Sequence, residues 1–140
     1  MSEPLHMILA NASLMHRKNV RQHFQELDLS DGQPKVLASL LDNEGIVQKE
    51  LATVCCVEPA TMTSLLQKMQ QDGFIEKRQR SVSGGKRANC IYLTDKGREY
   101  ALASNKIMDE AEILAFKDFT KEEKETFLLL IKRLTDNLSI

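Results

Sequence analysis

The chain has no apolar run that could cross a bilayer: its longest strictly aliphatic or aromatic stretch is Phe127 to Ile131, against the roughly 20 residues a spanning helix needs. It also lacks a secretory pattern. Glu3 stands where a signal peptide carries positive charge, and the apolar stretch Met7 to Ala10 is brief. These absences predict a cytoplasmic protein with no membrane partner. Cysteine is scarce: Cys55, Cys56 and Cys90 form an odd set without C-x-x-C spacing, which argues against a disulfide framework or zinc ribbon and suits a reducing compartment. There is no G-x-S-x-G, no H-E-x-x-H and no carboxylate cluster on a recognisable scaffold. Gly85-Lys86 echoes a phosphate loop only faintly, since Arg87 replaces the Ser/Thr and Arg80 the first glycine. We therefore expect no enzyme activity, no cofactor and no metal. Repeats, linkers and low-complexity segments are absent too, and 140 residues with 42% apolar content fit one domain with a sizeable core.

Net charge is also missing, with 19 Lys+Arg against 20 Asp+Glu, but the balance conceals an uneven distribution. Residues 1–57 carry 5 basic and 7 acidic side chains, residues 58–98 carry 8 and 4, and residues 99–140 carry 6 and 9. The middle is thus +4 and the flanks −2 and −3. A localised cationic footprint in a neutral chain would attract phosphate at the centre and repel it at the ends.

Periodicity supplies the elements. Leu5, Ile8, Leu9, Ala12, Met15, Val20, Phe24 and Leu27 recur mostly every three or four residues, which predicts a long first helix ending near Asp28. Ser30-Asp31-Gly32-Gln33 has the form of a capping box for a second helix buried through Val36, Leu37, Leu40 and Leu41. A short third helix is expected from Gln48 to about Cys55. A fourth opens at Pro59, favoured at a first helical position, and runs to about Asp72 before Gly73. Met62, Leu65, Leu66 and Met69 mark its buried face. Two short helices joined by Cys56 to Glu58 make a helix-turn-helix, whose second member enters a DNA major groove. Phe74–Arg80 and Cys90–Thr94 read as strands around a Gly84-Gly85 turn, which completes a winged helix. Thr94 caps a fifth helix to about Phe116, and Thr120-Lys121-Glu122-Glu123 is a capping box opening a sixth to about Leu138. Phe127 to Ile131 cover nearly the whole circumference of that last helix, which predicts a partner beyond its own domain. The fold class expected is mainly α with a small β-hairpin wing: a helix-turn-helix domain over residues 29–98, flanked by dimerisation helices over 1–28 and 99–140, all in one compact chain.

With its elements in this order the chain resembles the multiple-antibiotic-resistance repressor (MarR) family of winged-helix transcription regulators. The residues that carry the likeness are Leu29-Ser30 with Gln33 and Leu37, Lys49-Glu50-Leu51-Ala52, Ala60-Thr61-Met62-Thr63, Met69 with Asp72-Gly73-Phe74-Ile75, Arg87, and Leu93-Thr94-Asp95-Lys96-Gly97. The resemblance implies a homodimer joined through its terminal helices that reads a pseudo-palindromic operator in double-stranded DNA. It implies repression relieved by a small aromatic or anionic effector, or by an oxidant. Two positions depart from the family pattern. Ser64 stands where arginine is common, which removes a strong contact, and Gly85 stands where an aspartate usually orders the wing arginine, which leaves the wing looser and more cationic.

The candidate DNA-contacting residues follow from these placements. Ala60, Thr61, Thr63, Ser64, Gln67 and Lys68 form the small, polar, acid-free face of the fourth helix. Gln67 could pair with adenine, and threonine methyls could touch thymine methyls. Lys77, Arg80, Lys86 and Arg87 supply phosphate contacts from the wing, with Arg87 the candidate for a narrow minor groove. Arg78 either joins them or braces the hairpin. His16 and His23, seven apart on one helix, are candidate effector ligands. Cys55 and Cys56 are candidate redox residues, although adjacent cysteines close a strained ring and packing is the favoured role. A winged-helix module that grips an acidic protein instead of DNA is the competing function, and a cysteine-based redox-sensing regulator is the other.

Overall fold

A computed structural model describes residues 2–139. Six helices and one hairpin follow in the order α1 (Leu5–Glu26), α2 (Gln33–Asp42), α3 (Gln48–Val54), α4 (Pro59–Gln71), β1 (Ile75–Ser81), β2 (Arg87–Leu93), α5 (Asp95–Ala115) and α6 (Lys121–Leu138). The helical expectations hold to within a residue or two at nearly every boundary. The second helix starts later than its capping box predicts. Gln33 Oε1 does accept from the Ser30 N–H at 3.0 Å, but the Gln33 N–H goes to the Ser30 carbonyl at 3.2 Å. The cap is therefore Gly32, at φ 89°, and a Cβ there would press to 3.0 Å on Leu65.

The hydrophobic centre is built where α2, α3, α4 and the hairpin meet. Val36, Leu37, Leu40, Leu51, Met62, Leu66, Met69 and Ile91 are all fully buried, and large aliphatic side chains of this kind contribute about 1.5–3 kcal/mol each when removed from water. Val20 and Phe24 bring the C-terminal end of α1 onto this core, and Ala101 and Ala111 bring α5.

The two strands pair antiparallel from Ile75↔Leu93 to Ser81↔Arg87. On its other side β2 meets the segment before α3: Gly45 N–H donates to the Ile91 carbonyl at 2.7 Å, and Ile91 N–H donates to the Ile46 carbonyl at 2.9 Å. The wing is thereby fixed at its root to the start of the helix-turn-helix. Thr94 Oγ1 caps α5 by accepting from Gly97 N–H at 3.0 Å and itself lies 2.6 Å from the Gly73 carbonyl. A Cβ on Gly97 would overlap the Phe74 carbonyl, so only glycine lets α5 approach the junction of α4 and β1.

The ends differ. Leu5, Met7, Ile8 and Met15 in α1 are exposed, and α6 contributes no buried side chain. The complete Thr120/Glu123 capping box forms at the start of α6, and Phe116, Phe119 and Phe127 stack edge to face where it leaves α5. Among the described residues no helix is long and apolar enough to cross a membrane.

Candidate nucleic-acid interface

The turn between α3 and α4 is held by Val57 N–H donating to the Ala52 carbonyl at 2.9 Å. It requires a left-handed residue, and Cys56 fills that place at φ 56°. The turn buries Cys55 and leaves Cys56 exposed. Burial pushes the Cys55 thiol above its ordinary pKa, against smaller opposing effects of a Ser39 hydrogen bond and the Lys35 charge. That direction works against thiolate chemistry at this site.

From this turn α4 projects Ala60, Thr61, Thr63, Ser64, Gln67 and Lys68 to solvent, while Met62, Leu66 and Met69 hold its other side in the core. Thr63 and Ser64 fold their hydroxyls back on the helix, toward the Pro59 carbonyl at 3.0 Å and the Ala60 carbonyl at 3.4 Å. Gln48 Nε2 also donates to Thr63 Oγ1, at 3.1 Å. Lys68 Nζ reaches Ser30 Oγ at 3.4 Å, and buried Gln33 donates from Nε2 to Asp72 Oδ2 at 3.4 Å. The turn before α2 is in this way tied to both the exposed face and the C-terminal end of α4.

The wing closes through a single 3-10 turn over Ser83–Gly85, with Gly84 at φ 81° and Gly85 at φ 74°. Both glycines have open space where a Cβ would stand. Successive strand residues point to opposite faces, and this divides the wing cations. Lys77 and Arg87 share a face with Gln79, Asn89 and the buried Ile91. Arg78 and Arg80 lie on the other face, where their guanidinium carbons stand 4.3 and 5.1 Å from the Tyr92 ring centroid. Arg78 also pairs with Glu76 at 3.0 Å, so it braces the hairpin. Lys86 ends the turn. Lys68, Lys77, Arg80, Lys86 and Arg87 form no ion pair among the described residues, and their charges remain available to an anion.

Between the N-terminal ends of α3 and α4 and strand β2 lies a hollow of about 290 Å³ lined by Gln48, Lys49, Pro59, Thr63 and Asn89. Gln48, Asn89 and Tyr92 border the site but are not marked by motif or charge run in the sequence, and Ser30 is marked there only as a helix cap. The second strand starts at Arg87 and not at Cys90 as expected, which is why Asn89 escaped the sequence reading.

His16 and His23 are not brought together. His16 lines a cavity of about 410 Å³ with Arg17, Arg21, Asp31, Lys35 and Met108, and His23 does not. At that cavity's edge Arg21 grips Asp31 through two bonds, at 2.9 and 3.3 Å. Among the described residues no three His, Cys, Asp or Glu side chains gather as a metal site.

Comparison with known proteins fits this geometry. The sequence model of the MarR family matches residues 29–84, the helix-turn-helix and the first strand of the wing. An uncharacterized HTH-type transcriptional regulator of Bacillus subtilis, YybA, is 30% identical over 115 residues, covering 82% of this chain and 75% of that protein. The structure superposes on a MarR family transcriptional regulator from Listeria monocytogenes complexed with a 26mer DNA, at TM-score 0.84 and 23% identity over 99% of this chain and 90% of that one. It also superposes on a Mycobacterium tuberculosis MarR family protein in complex with salicylic acid, at TM-score 0.69 and 25% identity over 95% and 97%. The chain belongs to the MarR family of winged-helix DNA-binding transcriptional regulators.

Proposed function

We propose that the protein acts in the cytoplasm as a homodimeric repressor, laying α4 in successive major grooves of a pseudo-palindromic operator and its wing beside the minor groove. The observation that carries this reading is a coincidence of shape and charge. The exposed face of α4 bears no acid, and among the described residues Lys77, Arg80, Lys86 and Arg87 on the adjoining wing form no ion pair. A helix-turn-helix places its second helix in the major groove, and each phosphate neutralised by such cations releases counterions and steepens the salt dependence. Residues 29–98 form the reading unit in this account, with 1–28 and 99–140 as the dimerisation arms. The exposed apolar side chains of α1 and α6 supply the surface those arms would bury. The DNA complex of the Listeria relative supports the same partner.

Control by a small aromatic anion is part of this proposal. The cavity between α1 and α2 offers Arg17 and Lys35 with His16 beside Val20, Phe24 and Met108, a setting of cations against apolar walls, with Arg21 held by Asp31 at its edge. The mycobacterial relative's salicylic acid is a ligand of that chemistry.

The test is a fluorescence anisotropy titration of a random-sequence duplex at low and moderate salt. Binding that weakens steeply as salt rises is the expected result. No salt-sensitive binding, together with capture of an acidic protein by the same wing, would overturn the DNA reading in favour of a protein-binding module.

A further inference from the structure

Thr63 stands at the centre of the exposed face of α4, yet its hydroxyl is already occupied. A threonine hydroxyl has one proton to donate and two lone pairs to accept with. Here the proton goes to the Pro59 carbonyl at 3.0 Å, a back-bond to the residue four positions earlier of the kind helical threonines make. One lone pair takes the Gln48 amide at 3.1 Å. Gln48 is the first residue of α3, so this bond crosses between the two helices of the motif and fixes the Thr63 side chain from outside its own helix.

The methyl group and one lone pair are what remain for a partner. Major-groove edges carry hydrogen-bond donors and acceptors at every base pair but a methyl group only at thymine. A side chain that cannot donate keeps one lone pair, which either amino-bearing base, adenine or cytosine, could satisfy, whereas a methyl held in a fixed rotamer selects a single base, thymine. We propose that Gln48 is a specificity-determining positioning residue: it locks Thr63 as a methyl reader, which makes one thymine in each operator half-site a required base. The proposal rests on the DNA-binding function inferred above and adds to it the base that one residue reads and the residue that makes it do so. Gln48 itself need not touch DNA.

The experiment begins with duplexes enriched from a randomised pool by the full-length protein. In the enriched duplex each thymine is replaced in turn by deoxyuracil, which removes only the 5-methyl group. Affinities are then measured for the unmodified protein and for Thr63→Val, Thr63→Ser and Gln48→Ala. One thymine per half-site should lose about fourfold in affinity on methyl removal, the transfer value of a single buried carbon. Thr63→Val keeps the methyl, discards the hydroxyl and, being confined to one χ1 rotamer in a helix, needs no lock from Gln48, so it should bind the thymine duplex within about threefold of the parent and retain the uracil penalty. Thr63→Ser should lose that penalty at this position alone. Gln48→Ala should shrink it there while penalties at other thymines stay unchanged, a pattern that a general loss of stability would not produce.

Loss of more than about tenfold in Thr63→Val, with its melting temperature unchanged, would mean that the hydroxyl is the contacting group and would overturn the proposal. So would a uracil penalty that persists in Thr63→Ser, or one that Gln48→Ala leaves intact. If the pool yields no enriched duplex, the DNA-binding reading fails and takes this proposal with it. An enriched duplex without the coupled penalty overturns this proposal alone.

Discussion

The helix-turn-helix core and the chain ends treat their apolar residues in opposite ways. Leu37, Leu40, Leu51, Met62, Leu66 and Ile91 have no solvent exposure, whereas the five consecutive residues Phe127 to Ile131 remain 37–67% exposed. The first region is closed: α2, α3, α4 and β2 pack over one another, and Val20 and Phe24 of α1 with Ala101 and Ala111 of α5 complete the core. The second carries a surplus. Exposed apolar side chains of that kind are what a second copy would cover under the proposed dimer, and α1 carries Leu5, Met7 and Ile8 at 47–53% exposure as well.

The largest expected effect lies inside the buried region. Gly97→Ala forces a Cβ into the Phe74 carbonyl and should destabilise by about 3 kcal/mol or more, measured by urea unfolding. A smaller change would mean that the junction of α4, β1 and α5 is looser than its packing implies. Next comes the opposite region. Leu129→Glu changes a residue 67% exposed in the single chain, so it should leave the fold intact while weakening self-association at least tenfold by sedimentation. Each large apolar side chain buried at the interface contributes roughly 1.5–3 kcal/mol. Unchanged association would remove the distinction between the two regions.

A third prediction concerns the wing. Arg87→Ala should reduce affinity for duplex DNA and lower the salt slope by about 0.9 for the one phosphate it leaves without a cation, with no change in melting temperature. Cys56→Gly should raise stability by about 1 kcal/mol, since glycine adopts φ 56° without the penalty that a side chain incurs. The smallest effect is pH-dependent. Burial raises the Cys55 pKa in the folded state, so the unfolded chain ionises first as pH rises. Stability should be fully present below the ordinary thiol pKa and fall between that value and the raised one. Cys55→Ala should flatten this alkaline decline.

Most of the architecture was legible because its signals are local. The 3.6-residue spacing of Met62, Leu65, Leu66 and Met69 needs no knowledge of the rest of the chain, and neither do the Thr120/Glu123 box or the Gly84-Gly85 turn. The side-chain pairings were not legible. Gln48 meets Thr63, Lys68 meets Ser30, and Arg80 meets Tyr92 only after the helices and hairpin pack, and nothing near either partner in the sequence signals the meeting. The division of the wing cations is an intermediate case. Strand alternation separates Lys77 from Arg78 and Arg80, but Arg87 could be assigned to the Lys77 face only once the register Ser81↔Arg87 was known. Ser30 shows how a correct motif can be half realised: its backbone serves the predicted cap while its hydroxyl turns to Lys68.

The central claim is that the cations of this wing hold duplex DNA. The direct test compares the slope of log affinity against log salt for the unmodified protein and for a variant with Lys77, Arg80, Lys86 and Arg87 all changed to alanine. The account predicts a slope shallower by about 0.9 for every phosphate left without its cation, with the variant still folded and dimeric. An unchanged slope in a folded variant would contradict it.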